Sequence, residues 1–465
     1  MTSPLTLTLV DGTRVVTPDN LNLITPYVLQ EQEDWFEDEI KFLRRLLQPG
    51  QKIIDIGANY GVYTLSMARS VGAGGHVWCF EPASGTANYL AQGIAANGYR
   101  HVTLEKSALS SQPGTARLSL NDNAELNEII RNGMSPGASE EVPLTTLDHC
   151  LEQFGWSDID FVKIDAEGEE ANILKGGNRF FTRLSPLVEY EVKAGTDWHL
   201  ALVEQFSALG YRSYRLVPGL DLLVPFGRNE VPDGYLLNLF SCKEDCARRL
   251  AARGLLADPA LEPGAGQVDL AALANQPNHQ WQAHLASHQY SQLLLPHWVQ
   301  TMQQASSAPV GIILAQHAIA HDATLPPIVR FAALKSALDK ARTLISTEAG
   351  FLRLSTFARL ALEFGARSQA LQALKFLADT ITQQGSLNPA EPFLTPDPAF
   401  ERISPGANLG NWVLAAVVTE IERKSAFSSF FTGPDAKPRL ETLEGLQFAI
   451  PEIQRRLALV RRRFG

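Results

Sequence analysis

Cysteine is scarce in this sequence. The 465 residues include four cysteines, Cys79, Cys150, Cys242 and Cys246. So few thiols in a long chain do not make a disulfide framework, and no Cys-x-x-Cys pair is present to form half of a zinc site. We therefore expect reduced thiols, no metal site built from cysteine, and a cytoplasmic location.

Long apolar runs and an excess of basic charge are also missing. No apolar segment reaches the roughly 20 residues that cross a bilayer, and residues 1–5 have neither the cationic nor the apolar region of a signal peptide. The 40 lysines and arginines are outnumbered by 50 acidic residues, which leaves a net charge of -10. Because an acidic surface repels phosphate backbones, we expect no nucleic-acid partner, and we expect no membrane span.

The first half of the sequence alternates β-rich runs with helical stretches. Such βαβ units form a mostly parallel sheet with helices on both faces. Two later strands, at residues 211–217 and 235–242, have no helix between them and are expected to pair antiparallel. Residues 112–143 interrupt the alternation and are expected to form an inserted hairpin or lid. The alternating strands are predicted at residues 52–56, 76–80, 102–108, 160–164 and 187–192.

The second half has a different composition. Proline, glycine and alanine are concentrated at residues 257–266, which is typical of a linker, and β-rich runs disappear after it. Residues 325–345 and 356–381 have apolar side chains at helical spacing, and Gly365 separates two helices in the second segment. A chain of 465 residues exceeds the size of one hydrophobic core. We predict an α/β domain at residues 1–250 with an N-terminal extension at 1–34, a linker at 251–266, and an all-α accessory domain at 267–465.

A glycine-rich turn follows the first of the alternating strands and begins a helix. Its sequence is Asp55-Ile56-Gly57-Ala58-Asn59-Tyr60-Gly61. Glycine lets the backbone approach a ligand closely, and a helix N-terminus attracts an anion. A nicotinamide enzyme holds a pyrophosphate there with Gly-x-Gly-x-x-Gly, whereas this turn has Gly-x-x-x-Gly and a preceding acid. A carboxylate suits an amino group and the helix start suits a carboxylate, and the methionine part of S-adenosylmethionine offers both.

Glu81 ends the second of the alternating strands, 20 residues after Gly61. A carboxylate at the tip of that strand can accept both hydroxyls of a ribose, as it does in dinucleotide-binding folds. Pro82 then begins the next helix. We therefore expect Glu81 to bind the ribose of the cofactor.

Carboxylates are concentrated after the strand at residues 160–164, where Asp165, Glu167, Glu169 and Glu170 follow closely. Ligands of open α/β sheets bind beyond the carboxyl ends of the strands, near the point where the strand order reverses. Asp165 is therefore expected to face the same crevice as the glycine-rich turn. Capping of the next helix explains Glu169 and Glu170, but it explains Asp165 less well because Asp165 lies at the strand tip.

Two further carboxylates, Glu189 and Glu191, lie on one face of the strand at residues 187–192. Charged residues on a buried strand are unexpected unless they are paired or functional. Glu191 is closer to the crevice end of the strand. His199 follows and could approach the site as a base.

Five ordered motifs together resemble the FkbM family of methyltransferases: KIIDIGANYGVYT, CFEP, SAL, VPLTTLD and IDFVKIDAEGEEANILKGG. The resemblance runs from Trp35 to Glu191, about a third of the chain. It implies a class I methyltransferase fold, Rossmann-like with a mostly parallel seven-stranded sheet, and S-adenosylmethionine as cofactor. Ser107 and Ala108 would lie near the adenine. The other cofactor-binding residues would be Asp55, Gly57, Ala58, Asn59, Gly61 and Glu81.

Members of this family generally methylate hydroxyls of sugars and natural products. The resemblance therefore implies an O-methyltransferase that acts on a sugar, a glycan or a related natural product. A hydroxyl is a poor nucleophile at neutral pH, so a base that accepts its proton would help. We rank Asp165 first as this base, Glu191 second and His199 third. Carboxylates could also hold a divalent metal that acidifies the hydroxyl, but base catalysis without a metal is the preferred hypothesis.

Two other functions stay open. One is an NAD-dependent oxidoreductase, against which the missing Gly-x-Gly-x-x-Gly argues. The other is a non-catalytic cofactor-binding or scaffolding protein whose helical part recruits partners, against which the intact cofactor motifs argue. The helical domain lies outside the resemblance, and we expect it to shape the acceptor site, contact a partner protein or build a homo-oligomer.

One pair of histidines, His284 and His288, has the i, i+4 spacing of a helix face. Two such histidines can bind zinc. No glutamate follows the first of them, as it would in a metalloprotease motif. We therefore predict a packing or surface role for both side chains.

Overall fold

The computed structural model describes residues 3–130, 137–194, 197–227, 230–261, 268–303, 308–347, 350–384, 387 and 389–465. Parts of the predicted linker and of the predicted insertion lie outside these residues. The chain forms two compact units. The first consists of Met1–Leu216, Pro225–Glu230 and Leu236–Leu250, and the second of Val217–Val224, Val231–Tyr235 and Ala251–Gly465. The division into an α/β domain, a linker and a helical domain at the limits given above stays a prediction.

The strands are, in chain order, β1 (Pro4–Thr8), β2 (Arg14–Pro18), β3 (Lys52–Ile56), β4 (His76–Phe80), β5 (Val102–Glu105), β6 (Ala108–Leu109), β7 (Gly114–Ser119), β8 (Ser139–Thr145), β9 (Phe161–Ile164), β10 (Leu187–Glu191), β11 (Lys193–Ala194), β12 (Asp197–Trp198), β13 (Arg212–Val217), β14 (Leu222–Pro225) and β15 (Asn238–Cys242). The α-helices are α1 (Ile24–Gln32), α2 (Asp38–Leu46), α3 (Val62–Val71), α4 (Ser84–Asn97), α5 (Leu147–Gln153), α6 (Glu170–Gly176), α7 (Asn178–Arg183), α8 (Ala201–Ala208), α9 (Glu244–Ala252), α10 (Leu270–Ala274), α11 (Trp281–Leu285), α12 (Gln289–Thr301), α13 (Ala308–His321), α14 (Pro327–Thr347), α15 (Phe351–Phe364), α16 (Arg367–Gln384), α17 (Leu409–Ser425), α18 (Ser429–Thr432), α19 (Lys437–Gly445) and α20 (Pro451–Phe464).

One large sheet has the strand order β14-β13-β15-β10-β9-β3-β4-β5. The run from β5 to β10 is parallel, whereas β15 is antiparallel to both β10 and β13, as expected for the two late strands. The strand order reverses between β3 and β9, as it does in doubly wound sheets, and the predicted class I fold is confirmed. In the described part of the chain the sheet has eight strands instead of the seven implied by the resemblance, with the short β14 at one edge.

The interruption in the alternating pattern is a hairpin, as predicted. β7 pairs antiparallel with β8, and β6 joins them in a three-stranded sheet. Two helices, α6 and α7, follow β9 and meet at Gly177. A Cβ on Gly177 would lie 2.9 Å from Leu147 Cδ1, so the chain turns where it packs closely against α5.

Apolar side chains cover the central strands of this sheet. Ile54, Val162 and Val188, from β3, β9 and β10, are fully buried and pack in one core with Phe181 of α7 and Phe206 of α8. Strands of a parallel sheet are buried on both faces, which explains their nearly continuous apolar sequences. A charged side chain in such a strand therefore stands out.

The second unit is built mainly of helices, as predicted. α15 ends at Phe364. Gly365 follows it with a left-handed φ of 93°, and α16 comes next, so the expected helix pair is confirmed. Tyr290, Trp298 and Trp412 are fully buried in a core that runs through this unit. Among the residues described, no helix combines the length and the apolar composition needed to cross a bilayer.

Candidate active site

Three charged side chains lie side by side in the centre of the sheet. Asp55 of β3 is the register partner of Lys163 of β9, and Lys163 is the partner of Glu189 of β10. All three are buried, and residues paired in this way point to the same face of a sheet. The row is therefore negative, positive and negative in turn. It crosses the point where the strand order reverses, which is where open α/β sheets bind ligands.

Lys163 carries the positive charge of this row. Its Nζ is 2.5 Å from Asp165 Oδ2 and 4.5 Å from the centre of the Tyr63 ring. Burial lowers the pKa of Lys163, but the surrounding carboxylates, Asp165 first and Asp55 next, raise it above its usual value. The ammonium group therefore stays charged and stabilises negative charge on its neighbours.

The glycine-rich turn has left-handed backbone conformations at Gly57, Asn59 and Gly61, with φ values of 82°, 50° and 85°. A Cβ on Gly57 would lie 1.7 Å from the main-chain oxygen of Asp165, so the turn after β3 is in direct contact with the end of β9. Gly61 occupies the position before α3 and has no side chain that could cap the helix. The first N–H groups of α3 are therefore not covered by a capping side chain from this position.

Asp55 lies beside this turn and is 1% exposed. Its Oδ2 accepts a hydrogen bond from Thr64 Oγ1 at 2.5 Å. Within the described part of the chain, its Oδ1 is buried and has no hydrogen-bond partner. Burial raises the pKa of Asp55, and the nearby Lys163 acts in the opposite direction. A buried oxygen without a partner is unusual in a folded protein and is readily explained by a donor group on a ligand.

Glu81 follows β4 and is connected directly to the turn. Its Oε2 accepts the N–H of Asn59 and its Oε1 accepts the N–H of Ala83, both at 2.8 Å. A carboxylate oxygen has two lone pairs, so each oxygen keeps one for a further donor. Burial raises the pKa of Glu81 to about 7, and these two N–H groups only partly oppose it. The carboxylate thus has the capacity to accept the two hydroxyls of a ribose.

The structure also places Ala58, Ser107 and Ala108. Ala58 is buried in the turn and its N–H donates to Phe80 O at 3.0 Å. Ala108 is buried at the start of β6, and Ser107 precedes it and is half-buried. Their contacts with the cofactor stay predictions.

A second group of carboxylates lies after β9 and at the end of β10. Single oxygens of Asp165, Glu167 and Glu191 lie within 4.8 Å of one another. Burial raises the pKa of Glu191 to about 10, and the neighbouring Asp165 and Glu167 add to the effect. Glu191 is therefore protonated at neutral pH, whereas Asp165 is paired with the ammonium group of Lys163. Of the two, Asp165 is the better placed to accept a proton.

The third predicted base, His199, follows β12. Its main-chain N–H donates to Val192 O at 2.8 Å. Over the residues that the structure covers, its side chain forms no hydrogen bond or ion pair with Asp165 or Glu191. The structure thus brings Asp165 and Glu191 together without His199, whose role stays a prediction.

Three residues of this site, Lys163, Glu37 and Tyr63, are missing from the sequence predictions. Tyr63 Oη donates to Glu37 Oε2 at 2.5 Å, and burial raises the pKa of Glu37 although Lys163 opposes it. A lysine within an otherwise apolar strand could have indicated Lys163, because a buried lysine requires a partner. No pattern in the sequence points to Glu37, which precedes α2 and reaches the site only through the tertiary fold.

A comparison with protein families identifies the domain in which most of this site lies. The family described as "Methyltransferase FkbM domain" matches residues 55–213. These residues are an FkbM methyltransferase domain. Its methyl donor is S-adenosylmethionine, and the resemblance stated for this part of the chain is confirmed. The matched residues begin at Asp55 and include Glu81, Asp165, Glu191 and His199. No curated protein is significantly similar to the chain.

Solved structures of methyltransferases are similar to part of the chain. A SAM-dependent methyltransferase from Aquifex aeolicus is 15% identical with a TM-score of 0.28, over 47% of this chain and 92% of that protein. A SAM-dependent O-methyltransferase from Thermotoga maritima is 14% identical with a TM-score of 0.26, over 51% of this chain and 77% of that protein. Similarity at this level says nothing about the acceptor of the FkbM domain.

Proposed function

We propose that the FkbM domain transfers a methyl group to a hydroxyl oxygen of a sugar, a glycan or a related natural product. The observation that carries this proposal is a cluster of three carboxylate side chains next to the glycine-rich turn. They belong to Asp165, Glu167 and Glu191. A hydroxyl must lose its proton when it attacks the methyl group. Carboxylates can accept that proton and can also bind the neighbouring hydroxyls of a sugar.

The residues around the turn fit S-adenosylmethionine. Bound S-adenosylmethionine supplies a methyl group that its sulfonium already activates, so the protein contributes alignment and exclusion of water. Asp55, with one buried oxygen lacking a partner in the described structure, would hold the amino group. The start of α3 would hold the carboxylate, because the N-terminus of a helix favours negative charge. Glu81 would accept the ribose hydroxyls.

Asp165 is the proposed base. Its carboxylate is about one-third exposed and lies 2.5 Å from Lys163 Nζ, which stabilises the negative charge until a proton arrives. Glu191, protonated at neutral pH, would donate a hydrogen bond to the acceptor and hold it in position. His199 remains the third candidate. This mechanism requires no metal.

Labelled S-adenosylmethionine and a panel of acceptors test the proposal. The purified protein would be incubated with sugars, glycans and hydroxylated natural products, and with amine and carboxylate analogues of the same size. We expect the label in a methyl ether that resists alkaline hydrolysis. Transfer to the amines or carboxylates alone would contradict O-methylation of a hydroxyl.

Calorimetry separates the alternative functions. We expect binding of S-adenosylhomocysteine and none of NAD. Binding of NAD in its place would support an oxidoreductase. Binding of S-adenosylhomocysteine without methyl transfer to any acceptor would support a non-catalytic scaffold.

The affinity for S-adenosylhomocysteine is expected to fall as the pH is lowered from 8 to 5.5. The ribose hydroxyls require the ionised form of Glu81, and protonation of this group increases as the pH falls through its pKa of about 7. Below that pH, each unit of pH should raise the Kd by up to about tenfold. Calorimetry across this range measures the change. In Glu81→Gln the affinity should be low and independent of pH, and an unchanged pH dependence in this variant would remove Glu81 from the ribose site.

We further propose that the second unit contacts a partner protein or forms a homo-oligomer. Analytical ultracentrifugation of the purified chain distinguishes these possibilities, because only a homo-oligomer sediments as more than one chain without added protein.

The net charge of -10 supports an acceptor other than a nucleic acid. A cytoplasmic location is part of the same proposal.

A further inference from the structure

A cluster of histidines and acids lies inside the second unit, within a part of the chain that the FkbM match does not include. His317 and His321 are one helical turn apart on α13, and Glu363 is on α15. His317 Nε2 lies 3.0 Å from Glu363 Oε2, and His321 Nε2 lies 3.1 Å from the same oxygen. Three possible metal ligands therefore converge on one point, all within 4.8 Å of one another.

These distances suit a zinc ion. Zinc lies about 2.0–2.1 Å from imidazole nitrogen and carboxylate oxygen, and tetrahedral geometry then puts neighbouring ligand atoms about 3.3 Å apart. The two measured separations are within a few tenths of an ångström of that value. Two histidines at i, i+4 with one carboxylate are also a ligand set that zinc adopts, with the fourth position open to water.

The surrounding residues hold two of the three ligands, His317 and Glu363, in place. His317 Nδ1 lies 2.8 Å from His284 Nε2, so His317 can donate its Nδ1 hydrogen there and leave Nε2 free to bind a metal. Arg359 Nε donates to Glu363 Oε1 at 2.5 Å, which leaves Oε2 turned to the two histidines. Gly219 N–H donates to Glu363 O at 2.9 Å and packs against its side chain. Outer partners of this kind are usual for metal ligands.

The charges in the cluster also favour a cation. Arg359 is paired with both Glu363 and Glu401, and two carboxylates against one guanidinium leave a charge of -1.

A metal ion can reach the cluster from solvent. Of the three ligand side chains, His317 and Glu363 are 3% and 8% exposed, whereas His321 is 33% exposed. The site therefore has a buried side and an accessible one. His284 and His288, the pair indicated by the sequence, do not share a helix, because α11 ends at Leu285 and His288 precedes α12.

We propose that His317, His321 and Glu363 form a binding site for a zinc ion, which joins α13 to α15 within the second unit. His284 and Arg359 orient two of the ligands and do not bind the ion. Every residue of the site lies outside residues 55–213, the part of the chain that matches the FkbM methyltransferase domain.

Zinc binding to the whole chain tests this site directly. The purified protein is stripped with a chelator and titrated with zinc chloride against a chromophoric competitor. We expect one zinc ion per chain, together with a higher Tm in the presence of zinc. In His321→Ala the affinity should fall by at least about 100-fold, because loss of a ligand exceeds the 10- to 100-fold loss seen for outer partners. His321 is partly exposed, so this variant should fold.

His297→Ala is the matched control. His297 lies on α12, is exposed and belongs to the same unit, so its loss removes one histidine without touching the cluster. Wild-type affinity in His297→Ala and loss in His321→Ala would support the site. No stoichiometric zinc in the wild type, or equal affinities in the two variants, would overturn it.

Discussion

Methyl transfer by Asp165→Asn should be about 10²- to 10⁴-fold slower than that of the wild type, which is the usual contribution of a general base. Asparagine has nearly the same shape as aspartate but cannot accept a proton. The contact between the turn and the end of β9 is made by the main-chain oxygen of Asp165, so the substitution leaves it in place. Affinity for S-adenosylhomocysteine should therefore stay within a few-fold of the wild-type value. Initial rates with labelled cofactor and calorimetry measure the two quantities.

Glu191→Gln is the matched amide substitution for this test. The pKa of Glu191 is raised to about 10 by burial and by the neighbouring acids, so glutamine replaces a side chain that is already neutral at pH 7. We expect a rate within about tenfold of the wild type, since a hydrogen-bond donor is retained. If Glu191→Gln were slow and Asp165→Asn fully active, Glu191 would be the base and Asp165 would hold the acceptor. Full activity in both would leave His199 as the remaining candidate.

The parts of the fold that follow from local sequence are those with regular apolar patterns. β3, β9 and β10 are short apolar strands, and all three occur close to where the pattern predicts them. β14 was missed because four residues carry little pattern, and its place at the sheet edge depends on pairing with β13. The break between α6 and α7 likewise depends on tertiary contacts, because Gly177 packs closely against Leu147 there.

The residues of the candidate site can also be divided into those that local sequence predicts and those that depend on the tertiary fold. Asp55, Glu81 and Asp165 could be predicted because each lies at or near the carboxyl end of a strand, and the sheet topology brings such ends together. Lys163 was overlooked although a lysine in a buried strand is itself a signal. Glu37 could not be predicted, since its position beside Tyr63 depends on where the N-terminal segment packs.

The histidines show how spacing alone can mislead. His284 and His288 have helical spacing, but the chain leaves the helix between them. His317 and His321 have the same spacing on one continuous helix. What distinguishes the second pair is Glu363, a residue distant in the sequence that only the tertiary fold brings to it.

Gly57→Ala is expected to destabilise the first unit by about 2–5 kcal/mol and to abolish cofactor binding. Two effects add: a φ of 82° is unfavourable for alanine, and its Cβ would lie 1.7 Å from the main-chain oxygen of Asp165. That oxygen belongs to the backbone and cannot rotate away. The turn and the end of β9 must therefore separate, which moves Asp55 and Asp165 apart. The midpoint of urea unfolding and titration with S-adenosylhomocysteine report these changes.

Gly50→Ala is a control that separates the cost of a steric clash from the cost of a left-handed backbone conformation. Gly50 also has a left-handed φ, 90°, but a Cβ there would meet no atom of the described residues within 4 Å. Its substitution should cost only the strain, about 1–2 kcal/mol, and leave cofactor affinity within a few-fold of wild type. If the two variants lose equal stability and bind S-adenosylhomocysteine equally, contact between the turn and β9 does not hold the site together. A larger loss in Gly57→Ala would show that the crevice depends on two strand ends packed without a side chain between them.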